Sequence, residues 1–155
     1  MAKVIVIYES KYGNTRLVAE KIAEGMREVS GIETALNELK EVNRNQLAEF
    51  DAILIGSPNH IGNATGGIKK FIKELDKLNL AGKAVAVFDT YLGKDYEKAV
   101  KKMEKQITEK APGLKLLAPG LSIRVDGMKG PITQGELPRC KDFGVKIATQ
   151  LKDQG

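Results

Sequence analysis

The chain has 155 residues, one cysteine, one histidine and no tryptophan, and it carries a net charge of +5. This length is typical of one domain that buries its core without disulfides, and Cys140 alone excludes an internal disulfide and a Cys/His zinc site. The opening residues lack a signal-peptide core, and no apolar run reaches the roughly 18 residues of a membrane span, so we expect a cytoplasmic protein that does not associate with membranes.

Short apolar runs alternate with amphipathic stretches along the chain. The runs Lys3–Tyr8, Ala52–Gly56 and Lys83–Phe88 are rich in β-branched residues and almost wholly apolar, which is typical of strands covered on both faces. Ile32–Leu36 and Leu114–Val125 are weaker strand predictions. The pattern therefore predicts five strands.

Four stretches repeat apolar residues at intervals of three and four, which is the spacing of one helix face. They include Val18, Ile22 and Met26; Ile68, Phe71, Ile72 and Leu75; Tyr96, Val100, Met103 and Ile107; and Cys140, Phe143 and Ile147. A short helix is expected around Asn45–Glu49. Strands that alternate with helices predict an α/β fold, in which helices cover both faces of a parallel sheet, with residues 1–155 as a single domain.

The loop after the first strand is the first candidate for a ligand site, because ligands bind outside the carboxyl ends of parallel strands. Ser10 and Thr15 offer hydroxyl donors and Gly13 offers a flexible backbone, directly before a helix whose first N–H groups favour an anion. A phosphate fits this pattern, although an ordinary helix cap would use the same residue types. The Walker and GxGxxG patterns are absent.

Ser10-Lys11-Tyr12-Gly13-Asn14-Thr15 resembles the phosphate loop of the flavodoxin family, Thr/Ser-x-Thr/Ser-Gly-x-Thr, which holds the 5′-phosphate of FMN. Tyr12 replaces the hydroxyl residue that is usual at the third position, as in the flavodoxin-like domains of flavodiiron proteins, so we expect its backbone N–H to be used. The resemblance implies a flavodoxin-like three-layer sandwich with a five-stranded parallel sheet of order 2-1-3-4-5. It also implies cofactor contacts from Ser10, Lys11, Tyr12, Gly13, Asn14 and Thr15.

The sequence Gly56-Ser57-Pro58-Asn59 resembles the Gly-Ser-Pro-Thr segment of the family, whose loop covers one face of the isoalloxazine ring. No Trp is present to cover that face, so His60 or Ile61 would do so. A flexible peptide at Gly62 could turn its carbonyl toward N5 of the reduced ring. The resemblance therefore implies flavin contacts from Ser57, Pro58, Asn59, His60, Ile61 and Gly62. An ordinary Gly/Asn turn with a solvent-facing His60 is the alternative.

After the fourth strand, the family places an aromatic residue on the second face of the flavin. Tyr91 stands at that position, and Thr90 and Gly93 would contact the polar edge of the ring. Such stacking is worth about 0.5–1.5 kcal/mol beyond burial. The alternative is a tyrosine that packs at the edge of the domain.

The resemblance implies an FMN-binding, low-potential electron-transfer protein that shuttles electrons between redox partners, with no catalytic residue and no metal. The flavin itself carries out the chemistry in such carriers. An FMN-dependent NAD(P)H or quinone reductase of the same fold is the alternative. A phosphoryl-receiving regulatory domain is disfavoured, because Glu9 is a single acidic residue where that class needs a cluster.

The positive charge lies in the second part of the chain, with a net charge of −1 over residues 1–50 and +6 over residues 51–155. The lysines fall on two predicted helix faces, and no basic strand rich in aromatic residues suggests nucleic-acid binding. The basic surface predicts an acidic redox partner, either a ferredoxin or an oxidoreductase, with faster association at low salt. We expect a monomer or a weak dimer.

Overall fold

A computed structural model describes residues 1–154 of the chain. Strands and helices alternate as the apolar pattern predicts. The elements are β1 (Ala2–Tyr8), α1 (Asn14–Arg27), β2 (Ile32–Glu38), β3 (Ala52–Pro58), α2 (Gly66–Leu75), β4 (Ala84–Tyr91), α3 (Lys98–Lys110), β5 (Lys115–Leu116), β6 (Leu121–Arg124) and α4 (Leu137–Gln154).

The sheet is parallel and has the order β2-β1-β3-β4-β5, with β6 also paired to β4. In the central register, Val4 of β1 lies opposite Thr34 of β2 on one side and Ala52 of β3 on the other. Ala52 in turn lies opposite Ala84 of β4. The predicted α/β class and the order 2-1-3-4-5 are confirmed.

The last predicted strand, Leu114–Val125, forms as two short strands instead of one. β5 pairs with Ala84 and Val85, and β6 pairs with Phe88 to Tyr91, so the segment between them bulges away from β4. Gly120 lies in this bulge, where a Cβ would overlap the Val87 carbonyl oxygen. Its N–H donates to the Glu104 carboxylate of α3 at 2.9 Å, which satisfies a donor that has left the ladder.

Two strands run further than the sequence predicts, and this changes the position of site residues. β3 continues through Pro58 and β4 through Tyr91, because Pro58 pairs with Thr90 and β6 supplies a second neighbour for the end of β4. Thr90 and Tyr91 therefore belong to a strand and not to a loop. The short helix expected around Asn45–Glu49 is a 3₁₀ helix over Arg44–Glu49.

The core has two parts, one on each face of the sheet. Alternate strand residues point to opposite faces, so Ile5 and Ile53 pack under α2 and α3, whereas Val6 and Leu54 pack under α1 and α4. This arrangement explains why the central strands are apolar at nearly every position. Helices on both faces make the three layers that the sequence predicts.

Helices α1 and α4 approach closely enough for their backbones to touch. A Cβ on Gly25 would overlap the Lys141 carbonyl oxygen, and one on Gly144 would overlap the Ile22 carbonyl oxygen. A larger residue at either position would push the helices apart. α4 is apolar on the packed side only, and none of the helices described for residues 1–154 has the length and apolarity to cross a membrane.

Candidate functional site

A cleft of about 440 Å³ opens at the carboxyl edge of the sheet, where β1, β3 and β4 end. The strand order reverses between β1 and β3, which is where open α/β sheets bind ligands. The cleft is lined by Ser10, Lys11, Tyr12, Asn14, Thr15, Pro58, Asn59, His60, Ile61, Thr90, Tyr91, Leu92, Asp95, Val125 and Met128.

The predicted phosphate loop, residues 10–15, turns the chain from β1 into α1 at one end of the cleft. Gly13 is the N-cap of α1 with φ +93°, in the left-handed region that glycine adopts without strain, and its N–H donates to Ser10 Oγ at 3.0 Å. No side chain caps α1, and its first turn holds no acidic residue. The first N–H groups of α1 are thus left for an anion, beside the hydroxyl of Thr15.

Helices α2 and α3 also start at this edge, and in each of them a side chain of the protein accepts a hydrogen bond from an N–H group of the first turn. The Thr65 hydroxyl accepts from Ile68 N–H at 3.2 Å in α2 and donates to the Glu9 carboxylate. The Asp89 carboxylate accepts from Val100 N–H at 3.0 Å in the first turn of α3. Negative groups therefore occupy the starts of α2 and α3, whereas the start of α1 has none.

Asp89 is a buried acid that the sequence reasoning missed. Its carboxylate also accepts from Ser122 Oγ at 2.6 Å, and Ser122 Oγ accepts from Glu97 N–H at 2.9 Å, so the acid ties β6 to the start of α3. Burial raises its pKa to about 6, against the opposing effect of these hydrogen bonds. An acidic residue within the apolar run of β4 is the signal that could have identified it.

Thr15 and Thr90 join the phosphate loop to β4. Their hydroxyl oxygens lie 3.0 Å apart, and both residues are buried. The structure pairs Thr90 with Thr15 beside the phosphate loop, and the contact of Thr90 with the polar edge of a ring stays a prediction. Each hydroxyl has one proton, so a pair that shares one of them keeps the other for a further acceptor.

The β3–α2 loop, residues 59–65, forms one wall of the cleft with a tight turn at its tip. His60 and Asn63 exchange backbone hydrogen bonds of 2.7 and 3.0 Å, and Ile61 and Gly62 between them both have positive φ, as in a type I′ turn. Ile61 is 97% exposed, although it is β-branched and apolar. A side chain that is unfavourable there for both exposure and backbone conformation is typical of a functional surface.

Asn59 connects this loop with the β4–α3 loop, residues 92–97. Its backbone N–H donates to the Thr90 carbonyl at 2.8 Å, and its Nδ2 donates to Asp95 Oδ2 at 2.7 Å. Asn59 Oδ1 is buried and has no donor among the described residues. Asn59 thus lines the cleft and carries a buried amide oxygen that lacks a partner among the described residues.

Tyr91 lines the cleft at the end of β4. Its ring meets that of Tyr96 edge to face, with centroids 5.5 Å apart and an interplanar angle of 63°. This contact holds the Tyr91 ring in a defined orientation. Burial is the main cause that raises the pKa of Tyr91, so its hydroxyl stays neutral at physiological pH.

A hairpin of residues 125–132 closes the phosphate end of the cleft, where the sequence predicts only chain breakers. Val125 and Ile132 pair antiparallel, and the tip residue Met128 accepts a hydrogen bond from Tyr12 Oη at 3.9 Å. Lys129 Nζ lies 5.9 Å from the centroid of the Tyr12 ring. The Tyr12 side chain therefore contacts the hairpin, and the role of its backbone N–H in phosphate binding stays a prediction.

Most of the predicted site residues line this cleft, and four do not. Gly13 shapes the phosphate loop from outside the lining, and Gly62 and Gly93 have positive φ in the other loops. The Ser57 hydroxyl already has partners at the two ends of the β3–α2 loop. It donates to the Pro58 carbonyl at 2.8 Å and accepts from Thr65 N–H at 2.9 Å. The lining residues that sequence reasoning missed are Leu92, Asp95, Val125 and Met128.

Within residues 1–154, no group of His, Cys, Asp and Glu could hold a metal ion.

These features define a doubly wound α/β protein with a candidate ligand site at its topological switch point. The family model for the flavodoxin domain matches residues 5–125. The chain therefore belongs to the flavodoxin family.

Individual proteins agree with this assignment. A flavodoxin from Clostridium saccharobutylicum is 36% identical over 88 residues, which are 57% of this chain and 55% of that protein, so the match spans about half the length of that curated relative. The solved structure of a flavodoxin from the domain Archaea has a TM-score of 0.82 and 30% identity, with 97% of this chain and 99% of that chain covered. Rubredoxin oxygen:oxidoreductase from Desulfovibrio gigas shares the fold, with a TM-score of 0.78 and 22% identity over 97% of this chain and 36% of that chain.

Proposed function

We propose that this chain is a low-potential electron carrier that binds FMN in the cleft, with residues 1–155 acting as one flavodoxin-like domain. The observation that supports this most is the cleft itself, which joins an uncapped helix start to Tyr91. Its volume of about 440 Å³ falls in the usual range of small-molecule sites, about 300–1,000 Å³.

The residues at each end of the cleft suit a different part of FMN. Ser10 and Thr15 would donate hydroxyl hydrogen bonds to the phosphate, together with the first backbone N–H groups of α1. Tyr91 would stack on one face of the ring, and His60 and Ile61 would cover the other. When bound, FMN supplies the redox chemistry by taking up and releasing electrons. The protein binds and orients the cofactor and excludes water from its buried end.

The rim of the cleft offers a docking surface for the redox partner. Apart from Met1, the exposed large apolar residues of the described chain lie around the cleft; they are Tyr12, Ile61, Leu92, Tyr96 and Met128. Exposed lysines cover the neighbouring faces of α2 and α3, among them Lys69, Lys70, Lys73, Lys101, Lys102 and Lys105. An acidic ferredoxin or oxidoreductase with a small apolar patch would complement both features.

We place this carrier in the cytoplasm as a monomer or weak dimer. The only cysteine, Cys140, is buried in α4, and burial raises its pKa to about 12. Its thiol is thus neutral and shielded, which does not favour exchange with another chain.

A flavin titration tests the proposal. Purified apoprotein is mixed with FMN or riboflavin, and binding is followed by flavin fluorescence and visible absorption. We expect one equivalent of FMN to bind, riboflavin to bind more weakly, and the reduced complex to pass electrons to an acidic redox protein. Failure to bind FMN would contradict the proposal, and rapid NAD(P)H oxidation without a protein partner would favour the reductase alternative.

A further inference from the structure

The four methionines of the chain lie in very different surroundings. Met26 and Met103 are buried, one in each part of the core. Met1 and Met128 are 92% and 70% exposed, and of these two only Met128 lines the cleft. The more exposed a thioether is, the more readily a dissolved oxidant reaches it. Met128 is therefore the methionine of the cleft that such an oxidant can reach.

The sulfur of Met128 lies opposite a hydroxyl group. Tyr12 Oη donates to Met128 Sδ at 3.9 Å, and a thioether sulfur is only a weak acceptor. A good O–H···O hydrogen bond measures about 2.7–2.8 Å between its oxygens. The longer distance between Oη and Sδ leaves room for one oxygen atom that is bonded to the sulfur and lies within reach of the hydroxyl. Such an oxygen would accept the Tyr12 proton better than the sulfur does.

The Tyr12–Met128 contact joins the hairpin of residues 125–132 to the predicted phosphate loop. The other contacts at this junction are a cation–π approach of Lys129 to the Tyr12 ring and the backbone of Gly130 against the Asn14 amide, where a Cβ on Gly130 would lie 2.6 Å from Asn14 Oδ1. Within residues 1–154, the hydrogen bond to sulfur is the only one between the two segments. A better acceptor at Met128 would therefore strengthen the junction.

We propose that Met128 is a site of reversible oxidation by hydrogen peroxide, and that its sulfoxide stabilises the contact of the hairpin with Tyr12. The sulfur attacks one peroxide oxygen, so an S–O bond forms while the O–O bond breaks. The second oxygen takes the proton of the first and leaves as water. Sulfur loses two electrons and the peroxide gains them. A methionine sulfoxide reductase reverses the step with two electrons and two protons, and the oxygen leaves as water.

The stronger junction has a consequence for the cleft, because the hairpin closes the end where the phosphate loop lies. A bound ligand should leave more slowly when the hairpin opens less often. This consequence rests on the proposed function, with FMN as the ligand. The oxidation itself and the firmer hairpin do not rest on it, so they can be tested in the apoprotein.

The first measurement treats apoprotein with hydrogen peroxide and locates the added oxygen by peptide mass mapping. The two exposed methionines should gain oxygen at least about tenfold faster than the two buried ones. Amide hydrogen exchange of residues 125–132 is then compared before and after oxidation. We expect these amides to exchange about fivefold more slowly in the oxidised protein, because one additional good hydrogen bond opposes opening of the hairpin.

Three variants separate the hydrogen bond from other effects of the peroxide, and far-UV circular dichroism verifies the fold of each. Tyr12→Phe keeps the ring but removes the donor, so Met128 should still be oxidised while exchange stays unchanged. Met128→Leu keeps Met1 as an oxidation site and should not respond either. Met103→Leu is the matched control, because it replaces a buried methionine at similar volume and should respond as wild type does.

Two results in the apoprotein would overturn the inference. One is a Met128 that is oxidised no faster than the buried methionines. The other is hydrogen exchange that responds to the peroxide equally in wild type and Tyr12→Phe.

The dissociation rate of FMN, followed by the return of flavin fluorescence, tests the consequence for the cleft. It should fall about fivefold on oxidation of wild type and stay unchanged in Tyr12→Phe. An unchanged rate in oxidised wild type would overturn this consequence. A wild type that does not bind FMN at all would overturn the proposed function, and hydrogen exchange in the apoprotein would still decide the inference.

Discussion

The helices α1, α2 and α3 all begin at the edge of the sheet where the cleft opens, but their first turns differ. In α2, Ile68 N–H donates to the Thr65 hydroxyl, which in turn donates to the Glu9 carboxylate. In α3, Val100 N–H donates to the carboxylate of the buried Asp89. α1 has no side-chain cap and no acid in its first turn. Unpaired N–H groups at a helix start are unfavourable unless a partner supplies acceptors. The start of α1 is therefore the one of the three that leaves room for the acceptor that the proposed function places there, the phosphate of FMN.

The largest effect is expected from Asp89, whose carboxylate accepts a hydrogen bond from the first turn of α3. The pKa of Asp89 is raised from 3.8 to about 6, so the folded protein holds this proton more tightly than the unfolded chain. The associated stability is fully present below about pH 4 and is lost as the pH rises through about 6. Relative to Asp89→Asn, wild type should lose about 2–3 kcal/mol of unfolding free energy between pH 4 and pH 7. Urea unfolding of both proteins at each pH measures the two unfolding free energies. A difference between wild type and Asp89→Asn that does not vary with pH would contradict the prediction.

The next effect comes from giving α1 the carboxylate that it lacks. Asn14→Asp places a negative charge in the first turn, beside the proposed phosphate. FMN should bind about 30-fold more weakly because of charge repulsion, whereas riboflavin should be unaffected. The apoprotein should gain about 0.3–1 kcal/mol from the helix dipole. Titration and thermal unfolding measure the two effects, with Asn14→Ala as the uncharged control.

Thr15→Ala removes a hydroxyl from the uncapped start of α1. FMN should bind about tenfold more weakly and riboflavin should change little, because only FMN presents a phosphate to that hydroxyl. Thr108→Ala is a matched control, since the Thr108 hydroxyl donates to the Glu104 carbonyl on the surface of α3. Equal weakening of both ligands would show that the loop does not bind the phosphate.

Thr65→Ala removes the cap of α2 and should lower the unfolding free energy by about 1 kcal/mol. Thr65→Ser keeps the hydroxyl that bonds Ile68 N–H and Glu9, so it should restore most of that loss. Chemical denaturation of the three proteins makes the comparison. If Thr65→Ser were as unstable as Thr65→Ala, the hydroxyl would not be the source of the lost unfolding free energy.

The smallest effect concerns the lysines next to the cleft. Lys102→Glu, on α3 near Gly62, should slow association with an acidic redox protein about two- to threefold at low salt, and the difference should vanish at high salt. Lys146→Glu, on the exposed side of α4, is the control with the same change in net charge. Stopped-flow kinetics measure both, and equal slowing would mean that total charge matters and its position does not.

Much of the fold could be predicted from the sequence because its signals are local. The apolar runs of β1, β3 and β4 mark strands covered on both faces, and spacings of three and four mark the helices. The split of Leu114–Val125 into β5 and β6 could not be predicted, because it depends on how that segment pairs with β4. The burial of Asp89 and the ends of β3 and β4 follow from the same pairing.

The sequence by itself determined where Ser10 to Thr15 lie, because they are contiguous and stand between a strand and the start of a helix. It also determined which strands end at the cleft, since the crossovers of parallel units have one handedness. Only the tertiary structure decided the partners of Asn59, Thr15 and Asp89, because Asp95, Thr90 and Ser122 lie far along the chain from them. A side chain's hydrogen-bonding role depends on which distant groups the packed sheet brings within reach, and a one-dimensional pattern does not contain that distance.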